Sequence, residues 1–179
     1  MVKQLLREYR PPVDWDRRSL LRRASWFLIG KPICASFLPG TFWRRLLLLM
    51  YGAKIGIGVR IKPRVQITSP WLLNVGDWCW LGEGLWIDNL AVVHIGDQVC
   101  LSQGAYLCTG NHDYRSPTFD LRLGAINVKS EAWIAAKSVL APGVTVGSGA
   151  VVSLGAVVLD DVPSRSIVRG NPAKVVGHR

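Results

Sequence analysis

This sequence of 179 residues lacks any apolar run long enough to cross a bilayer. Its longest apolar stretch, residues 46–53, is far shorter than the roughly 20 residues that a membrane-spanning helix needs. The N-terminus carries charges without the apolar core of a secretory signal, so no such signal is expected. The four cysteines include no CxxC pair. A cytoplasmic protein with reduced cysteines is therefore expected.

Acidic residues are scarce in the first third of the chain. Residues 1–64 hold 14 Lys and Arg against 3 Asp and Glu, whereas residues 65–179 hold 8 against 9. The net charge of +10 thus divides into +11 and −1. The length is ordinary for a single hydrophobic core, so we expect one domain with a basic arm on a near-neutral body.

What the sequence does have is a period of six residues. From residue 128 onward an aliphatic residue recurs at every sixth position, at Val128, Ile134, Leu140, Val146, Val152 and Val158. Shorter runs with the same spacing lie at 55–67, 75–87 and 95–107. Helices space apolar residues by three or four and half-buried strands by two, so six indicates a parallel β-helix. Three such units would make one triangular coil. A β-sandwich is the alternative, although its strands keep no six-residue register.

Four stretches of this sequence resemble the hexapeptide-repeat acyltransferases over about residues 52–177. They read IGIGVR, VGDWCWLGEGLWIDN, IGDQVCLSQGAYLCTGNHD and the run from EAWIAAK to GNPAKVVG. The repeat alone is specific for the fold, whereas TGNHD and GNPAK point to acetyltransferases. The most similar branch is that of the O-acetyltransferases of colanic acid and other bacterial exopolysaccharides. The resemblance implies an all-β, left-handed parallel β-helix that works as a homotrimer with acetyl-CoA as co-substrate.

The expected domain plan has three parts. Residues 1–51 would form a basic helical cap, because an uncovered β-helix end exposes strand edges and core side chains. Residues 52–163 would form the β-helix, with a loop excursion at 112–124. Residues 164–179 leave the six-residue register, so they are expected to peel away as a C-terminal extension.

Two short helices are predicted in the cap, over residues 16–30 and 40–52. The residues expected to begin or end them are Asp16 or Ser19, Thr41, Gly30 and Gly52. Their leucines and aromatics would cover the first coil or pack on a neighbouring subunit.

The cap has a second interpretation, as a surface that docks on an anionic membrane. Its cations alternate with aromatics as in helices that lie on lipid. They are Arg17, Arg18, Arg22, Arg23, Lys31, Arg44 and Arg45. Exopolysaccharide units are built on a lipid carrier, so contact through residues 17–45 at the inner face of the cell membrane would suit a lipid-linked saccharide acceptor. No nucleic-acid-binding module is visible, so no nucleic-acid partner is expected.

The period stops at residues 109–124, TGNHDYRSPTFDLRLG, and a histidine opens this polar stretch. Of the three histidines, His178 is the penultimate residue and His94 should point outward from a strand. His112 follows the last residue that keeps the register, Leu107, and opens the irregular loop, so it is the candidate for chemistry.

The resemblance implies that His112 is the general base. A sugar hydroxyl is a very weak acid, and imidazole is suited to take its proton near neutral pH. We expect direct transfer in a ternary complex, with a backbone N–H donating to the oxyanion. Asp113, Asn111 or a backbone carbonyl could orient the ring. The rest of the excursion, with Tyr114 and Arg115, would wall the acceptor side.

Other matches to the family's motifs suggest where acetyl-CoA binds. Trp133 would flank the pantetheine arm, while Ala135, Ala136 and Ser153 would offer backbone groups to its amides. Lys174 would meet the nucleotide phosphates, and Arg169 is a weaker candidate. A common variant of the family has Thr-Lys where this chain has Leu159-Asp160, so a phosphate contact at that coil is in doubt.

The acceptor is expected one coil before His112. The residues proposed to bind it are Glu83, Trp86, Asp88 and Asn89. Trp86 could stack on a sugar face, and the polar groups could bind hydroxyls. Asp88 and Asn89 could equally be ordinary corner residues.

Three rival functions remain open at this point. A γ-type carbonic anhydrase uses the same β-helix but needs three imidazoles on zinc, and this chain offers only His112 in a suitable place, so no metal is expected. A non-catalytic scaffold is the second rival. The third keeps the chemistry but uses a different acceptor, such as serine, an amino sugar or a drug.

Overall fold

The computed structural model describes residues 3–11 and 19–179. The N-cap proposed at Asp16 and the cations Arg17 and Arg18 lie outside the described residues.

Short parallel strands form the three faces of a triangular prism. The first face contains β1 (Lys54–Ile55), β4 (Leu73–Val75), β7 (Val93–Ile95), β12 (Ile126–Val128) and β15 (Thr145–Val146). The second face contains β2 (Arg60–Ile61), β5 (Trp80–Leu81), β8 (Cys100–Leu101), β13 (Trp133–Ile134), β16 (Val151–Val152), β18 (Ser166–Gly170) and β19 (Ala173–His178). The third face contains β3 (Gln66–Ile67), β6 (Trp86–Asp88), β9 (Tyr106–Cys108), β14 (Val139–Leu140) and β17 (Val157–Val158). A separate antiparallel hairpin consists of β10 (Gly110–His112) and β11 (Leu121–Leu123).

The chain visits the first, second and third faces in that order again and again, so each round is one coil of a parallel β-solenoid. The aliphatic residue of every six-residue unit points into the prism. On the second face these residues stack in one column, formed by Ile61, Leu81, Leu101, Ile134, Val152 and Val168. Each is at most 3% exposed, and burying such a side chain stabilises a fold by about 1.5–3 kcal/mol. The predicted β-helix is confirmed.

Helices cover the start of this solenoid. They are α1 (Leu20–Ser25), a π-helical turn (Trp26–Gly30), α2 (Lys31–Cys34) and α3 (Thr41–Met50), with single 3-10 turns at Leu6–Glu8 and Pro70–Leu72. The helices contact β1, β2 and β3, the first strand of each face, so they lie across the open end of the prism. Trp26, Cys34 and Leu48 join the core from this side. The predicted cap therefore packs on its own β-helix.

The first helix begins as predicted and ends later than predicted. The Ser19 hydroxyl accepts the N–H of Arg22, as an N-cap does. Gly30 was expected to stop this helix, but it keeps helical dihedral angles and the chain continues into α2. That prediction is wrong because the turn here is π-helical, which accommodates Pro32 two residues later. A Cβ at position 30 would lie 2.3 Å from the Trp26 ring, so the glycine leaves room for this indole.

The predicted N-cap of the second helix is wrong. Gly40, not Thr41, precedes α3, and the Thr41 hydroxyl bonds the backbone N–H and C=O of Ile61 instead of capping the helix. It thereby ties the helix to β2. The predicted stop at Gly52 is confirmed, since α3 ends just before it and its φ of +94° is a left-handed value that suits glycine.

Arg44 has a structural role rather than the predicted surface role. Its guanidinium is buried and donates to the carbonyl oxygens of Cys34, Ser36 and Gly40 at 2.7–3.0 Å. It therefore fixes the loop between α2 and α3. Arg45 likewise donates to carbonyl oxygens at the start of the solenoid.

The C-terminal segment does not peel away. β18 pairs in parallel with β16, and Val168 continues the buried column one coil further. β19 then folds back antiparallel against β18. The expectation of a detached extension is wrong because Val168 still has an apolar column to join.

Candidate active site

The candidate site grows from one edge of the prism, the corner between the third and first faces. A regular corner separates inward residues by six positions, as from Leu140 to Val146. In each of the first two coils this corner takes eight positions, as from Ile67 to Val75. From Leu107 to the next inward residue of the first face, Val128, it takes twenty-one, and the extra residues form the β10–β11 hairpin. The N–H of Gly124 donates to the carbonyl of Thr109 at 2.9 Å and closes the neck of the hairpin.

Two buried polar side chains hold this corner together. Asn89 accepts the N–H of Ser69 at 2.9 Å and donates to the Ser69 carbonyl at 2.6 Å. One coil later the Thr109 hydroxyl donates to the carbonyl of Asp88 and accepts the N–H of Ala91, both at 3.0 Å. Both side chains are fully buried. The prediction that Asn89 binds the acceptor is wrong, because both ends of its amide are used and none of it reaches the surface.

The His112 ring is held by one residue of its own hairpin, Phe119. The ring nitrogen Nδ1 lies 2.7 Å from the carbonyl oxygen of Phe119, and the two rings stack with centroids 4.4 Å apart. A carbonyl only accepts hydrogen bonds, so Nδ1 carries the proton and Nε2 keeps a lone pair. Of the three groups proposed to orient this ring, the structure selects a backbone carbonyl.

Asn111 and Asp113 flank His112 without contacting its ring. The Asn111 side chain accepts the backbone N–H of His112 at 2.7 Å. Asp113 forms an ion pair with Arg122 on the opposite strand and accepts the N–H of Arg115. Both therefore shape the backbone around the histidine, and neither sets its tautomer.

The far end of the hairpin is a compact polar turn. The hydroxyls of Ser116 and Thr118 each donate to the carboxylate of Asp120 at 2.7 Å. The Thr118 bond, followed by the Ser116 bond, lowers the pKa of Asp120. The N–H of Asp113 also donates to the Asp120 carbonyl, so the turn is closed by bonds of its own.

The other residues proposed to bind the acceptor lie on or beside the third face. Trp86 is partly exposed and packs on the ring of Tyr106, with centroids 4.6 Å apart. The carboxylate of Asp88 accepts from Thr68 at 2.9 Å and from Tyr106 at 3.2 Å. Burial, more than the carboxylate, raises the pKa of Tyr106 above its ordinary range.

Glu83 completes the proposed acceptor set. It lies in the turn between β5 and β6, with its carboxylate 3.8 Å from the guanidinium of Arg64. Both side chains are about half exposed, so a ligand can reach them.

The residues proposed to bind acetyl-CoA lie together on the second face. A groove of about 340 Å³ is lined by Trp133, Ala135, Ala136 and Ser153. Trp133 is 47% exposed, and its indole N–H donates to the Ser102 hydroxyl at 2.9 Å. The four residues grouped from the sequence therefore lie on one surface, and their binding of acetyl-CoA stays a prediction.

The backbone groups in this groove are only partly free. The N–H of Ala135 donates to Val152, and that of Ser153 donates to Val168. The N–H groups of these two residues are therefore not among the predicted free backbone groups, because both continue the parallel ladder. The N–H of Ala136 has no hydrogen bond within residues 3–11 and 19–179.

Lys174 lies further along the same face. It is on β19 opposite Arg169, and three strand steps separate β19 from Trp133 on β13. At about 4.8 Å a step, that is about 14 Å. A long rod-shaped ligand could lie along the face and reach both residues.

Two tryptophans extend the groove toward the cap. A second depression of about 330 Å³ shares Trp133 and Ser102 with the first and continues to Trp80, Arg60 and Lys62. The guanidinium of Arg60 lies 4.9 Å from the Trp80 ring centroid. Trp80 was not predicted, although an outward tryptophan just before an inward leucine, as in Trp80-Leu81, was a visible signal.

The hairpin and the groove lie on opposite sides of one chain. The hairpin leaves the corner between the third and first faces, and in a triangular prism that edge is opposite the second face. His112 and Trp133 therefore do not form one site within a single copy.

Two further neighbours of His112 were missed. Phe119 had a signal, since it is an aromatic residue in a polar loop. Tyr9 had none: it comes from the N-terminal segment, and its ring lies 5.6 Å from the histidine ring, edge to face. The N–H of Leu5 anchors this segment on the carbonyl of Pro117 at 2.8 Å.

The described part of the chain contains neither a cluster of metal-ligating side chains nor a membrane-spanning helix. Within it, no three His, Cys, Asp or Glu side chains are gathered where they could hold a metal ion. Among the helices described, none has the length and apolar character that crossing a membrane requires.

Two sequence relatives are acetyltransferases by name. The chain is 42% identical over 137 residues to WcaF of Escherichia coli strain K12, a candidate colanic acid biosynthesis acetyltransferase, covering 76% of this chain and 75% of that protein. It is 31% identical over 122 residues to a candidate acetyltransferase of Staphylococcus aureus strain MRSA252, covering 63% and 61%. No family model matches the chain.

Two solved structures share the fold. The hexapeptide-repeat acetyltransferase VCA0836 of Vibrio cholerae, solved with acetyl-CoA, superimposes with a TM-score of 0.81 at 22% identity and covers 91% of each chain. A galactoside acetyltransferase solved with coenzyme A superimposes with a TM-score of 0.73 at 20% identity, covering 88% of this chain and 80% of that one. At these identities the likeness establishes the architecture.

Proposed function

This chain belongs to the hexapeptide-repeat acetyltransferase family, and on that premise we propose that it transfers an acetyl group from acetyl-CoA to a sugar hydroxyl. The observation that carries the proposal is the hydrogen bond between Nδ1 of His112 and the Phe119 carbonyl. It leaves Nε2 as a proton acceptor on a rigid hairpin, which is what a general base requires.

In the proposed reaction Nε2 of His112 removes the hydroxyl proton as the sugar oxygen attacks the thioester carbonyl. The tetrahedral oxyanion then collapses, the C–S bond breaks, and the protonated imidazole returns its proton to the CoA thiolate. Transfer is direct, and a backbone N–H donates to the oxyanion. The acceptor is a sugar or a lipid-linked saccharide, and the name of the Escherichia coli relative favours bacterial exopolysaccharide biosynthesis.

The proposed donor site is the groove on the second face. The acetyl-CoA rod would run from Lys174 to Trp133, with its pantetheine amides near the free N–H of Ala136. The tryptophan ring would pack against the apolar arm. The acceptor would then lie between this groove and the hairpin of another copy, within reach of Trp86 and Asp88.

A site assembled between copies requires an oligomer, and we propose a homotrimer. Support comes from the opposite placement of His112 and Trp133 on one prism. A cyclic arrangement brings the hairpin edge of one copy to the second face of the next and repeats that contact at every interface.

The first test is CoA-thiol release from acetyl-CoA with a panel of sugars, amino sugars and serine. His112→Ala should lower kcat by about two to four orders of magnitude with the oligomer intact. His94→Ala is the matched control, because that histidine is exposed on the first face, and it should retain full activity. Turnover near the normal rate in His112→Ala would refute the assignment. Release with serine or an amino sugar alone would move the chain to a different acceptor class.

The second test is complementation between variants. Refolding His112→Ala together with Trp133→Ala should restore about one quarter of the sites when each site takes one residue from each of two copies. The assay needs acetyl-CoA below its KM, where loss of Trp133 is visible. No gain over the separate variants would place both residues of a working site in one copy and contradict the shared site.

A further inference from the structure

The outer surface of the helical cap is strongly apolar. We call the following exposed set the apolar tip: Leu20, Leu21, Phe27, Leu28, Ile29, Ile33, Phe37, Leu38, Phe42, Leu46 and Met50. Leu21 is 83% exposed, Phe42 79% and Leu28 70%. Scattered apolar residues are normal on a surface, but a contiguous patch of this extent indicates a binding surface.

The apolar tip points along the prism axis. In α3 the side chains of Phe42, Leu46 and Met50 are four residues apart and line the outer side, while Arg44 and Leu48 are buried on the inner side. The inner side covers the first strand of each face. The outer side therefore faces away from the solenoid, beyond the end of the three faces.

The sequence segment that carries the apolar tip has charge of one sign, although one of its cations, Arg64, lies 3.8 Å from the carboxylate of Glu83. Between residues 17 and 76 the sequence has eleven Lys and Arg and no Asp or Glu. The Lys31 ammonium lies 5.8 Å from the ring centroid of Phe27, and the Arg64 guanidinium lies 4.2 Å from that of Phe37. Long cationic side chains beside apolar groups are typical of surfaces that meet both lipid tails and headgroups.

We propose that the apolar tip inserts shallowly into an anionic lipid surface, a partner that goes beyond the acetyl transfer itself. Its side chains would enter the boundary between headgroups and acyl chains, and Lys31 and Arg64 would meet lipid phosphates. The contact differs from the one expected from the sequence, because Arg44 and Arg45 are used inside the protein and the apolar residues make the main contact.

A second copy is a poorer occupant for two reasons. Two tips pressed together would bring two cation-rich segments against each other, with no Asp or Glu between residues 17 and 76, and the Glu83 carboxylate beside Arg64 would offset only part of that charge. Side-by-side copies, as in the proposed trimer, would leave every tip uncovered and pointing the same way. The second reason rests on the proposed assembly, whereas the first does not.

The test is flotation of the full chain with vesicles of phosphatidylcholine alone and of phosphatidylcholine with phosphatidylglycerol. The wild type should bind the anionic vesicles. Leu28→Ser with Phe42→Ser should lower the partition coefficient by about tenfold or more, since two apolar side chains that would be buried in the lipid are lost. The matched control is Leu159→Ser with Val176→Ser, two exposed aliphatic residues toward the other end of the solenoid, and it should bind like the wild type.

Charge is tested separately. Lys31→Glu with Arg64→Glu should weaken binding to the anionic vesicles and remove most of its salt dependence. Amide exchange of the wild type should slow within residues 20–50 on binding and stay unchanged in the last two coils, a readout that needs no variant.

Several outcomes would overturn the proposal. One is no vesicle binding by the wild type, and another is an equal loss of binding in the tip pair (Leu28→Ser with Phe42→Ser) and the control pair. A third is a smaller oligomer in the tip pair, which would assign the surface to a second copy. Thiol release with a dissolved sugar should be the same in the tip pair and the wild type. Absence of thiol release in the wild type would count against the proposed acetyl transfer and not against lipid binding.

Discussion

Asn89→Leu should destabilise the protein by about 2 kcal/mol and leave the acceptor KM unchanged. Leucine has nearly the shape of asparagine, so the change removes polar bonds without opening a cavity. The N–H of Ser69 loses its partner, the Asn89 side chain at 2.9 Å, whereas the Ser69 carbonyl loses the 2.6 Å bond from Asn89 but keeps the N–H of Leu72 at 3.0 Å. Ser69 is itself 3% exposed, so water cannot replace the amide. One orphaned buried group costs about 1–3 kcal/mol, which gives the estimate of about 2 kcal/mol.

Urea unfolding at a fixed protein concentration measures this loss. With a slope of about 2 kcal/mol per molar urea, the midpoint should fall by about 1 M. Asn127→Leu is the matched control: the same change on the outward side of the first face, where the amide has no hydrogen bond within the described residues, should leave the midpoint nearly unchanged. An unchanged midpoint in Asn89→Leu together with a raised acceptor KM would show that this amide faces the substrate and refute the reasoning.

Three further predictions concern the hairpin and the cap. Phe119→Ala should lower kcat by up to about tenfold with little change in the KM for acetyl-CoA. The reason is that the stacked ring that steadies His112 is lost while the backbone carbonyl remains. Thiol release measures both constants, and a selective rise in KM would contradict the prediction. Arg44→Met should cost about 3 kcal/mol in urea unfolding, since three carbonyls lose a charged donor; a midpoint at the wild-type value would show that the bonds contribute nothing. Burial raises the pKa of the Cys34 thiol from 9.0 to about 11. At pH 8 it should therefore react with iodoacetamide about a hundredfold more slowly than an ordinary thiol, as followed by peptide mass spectrometry, and fast labelling of the folded chain would contradict its burial.

The sequence was sufficient for the prism and for its interior. A period of six has one simple structural solution, and each residue of the column, such as Leu101 or Ile134, could be assigned without knowing its partner on the next coil. The resemblance to the family, and not the register, pointed to the groove around Trp133, and the residues it indicated lie on one face. The strand at Val168 was missed because two prolines hid a register that one valine continues.

The surroundings of the histidine could not be predicted in the same way. The hairpin keeps no period, so its strand pairing depends on contacts that residue types do not reveal. The group that orients His112 is a backbone carbonyl, which every residue possesses, and Tyr9 reaches the site from a distant part of the chain. Asn89 looked like a ligand because it is polar and near a corner, whereas its actual partner is the backbone of the preceding coil.

The corner that carries the hairpin accepts different lengths without disturbing the column. It takes no extra residues after Leu140, a few after Ile67 and a whole hairpin after Leu107, yet the strands on either side keep their register. The neck is closed by the bond from Gly124 to Thr109, so the hairpin behaves as a cassette with a defined joint. Under the proposed function, exchange of residues 110–123 would replace one wall of the acceptor site, and a hairpin could be transplanted between such proteins at this joint while the donor groove stays untouched.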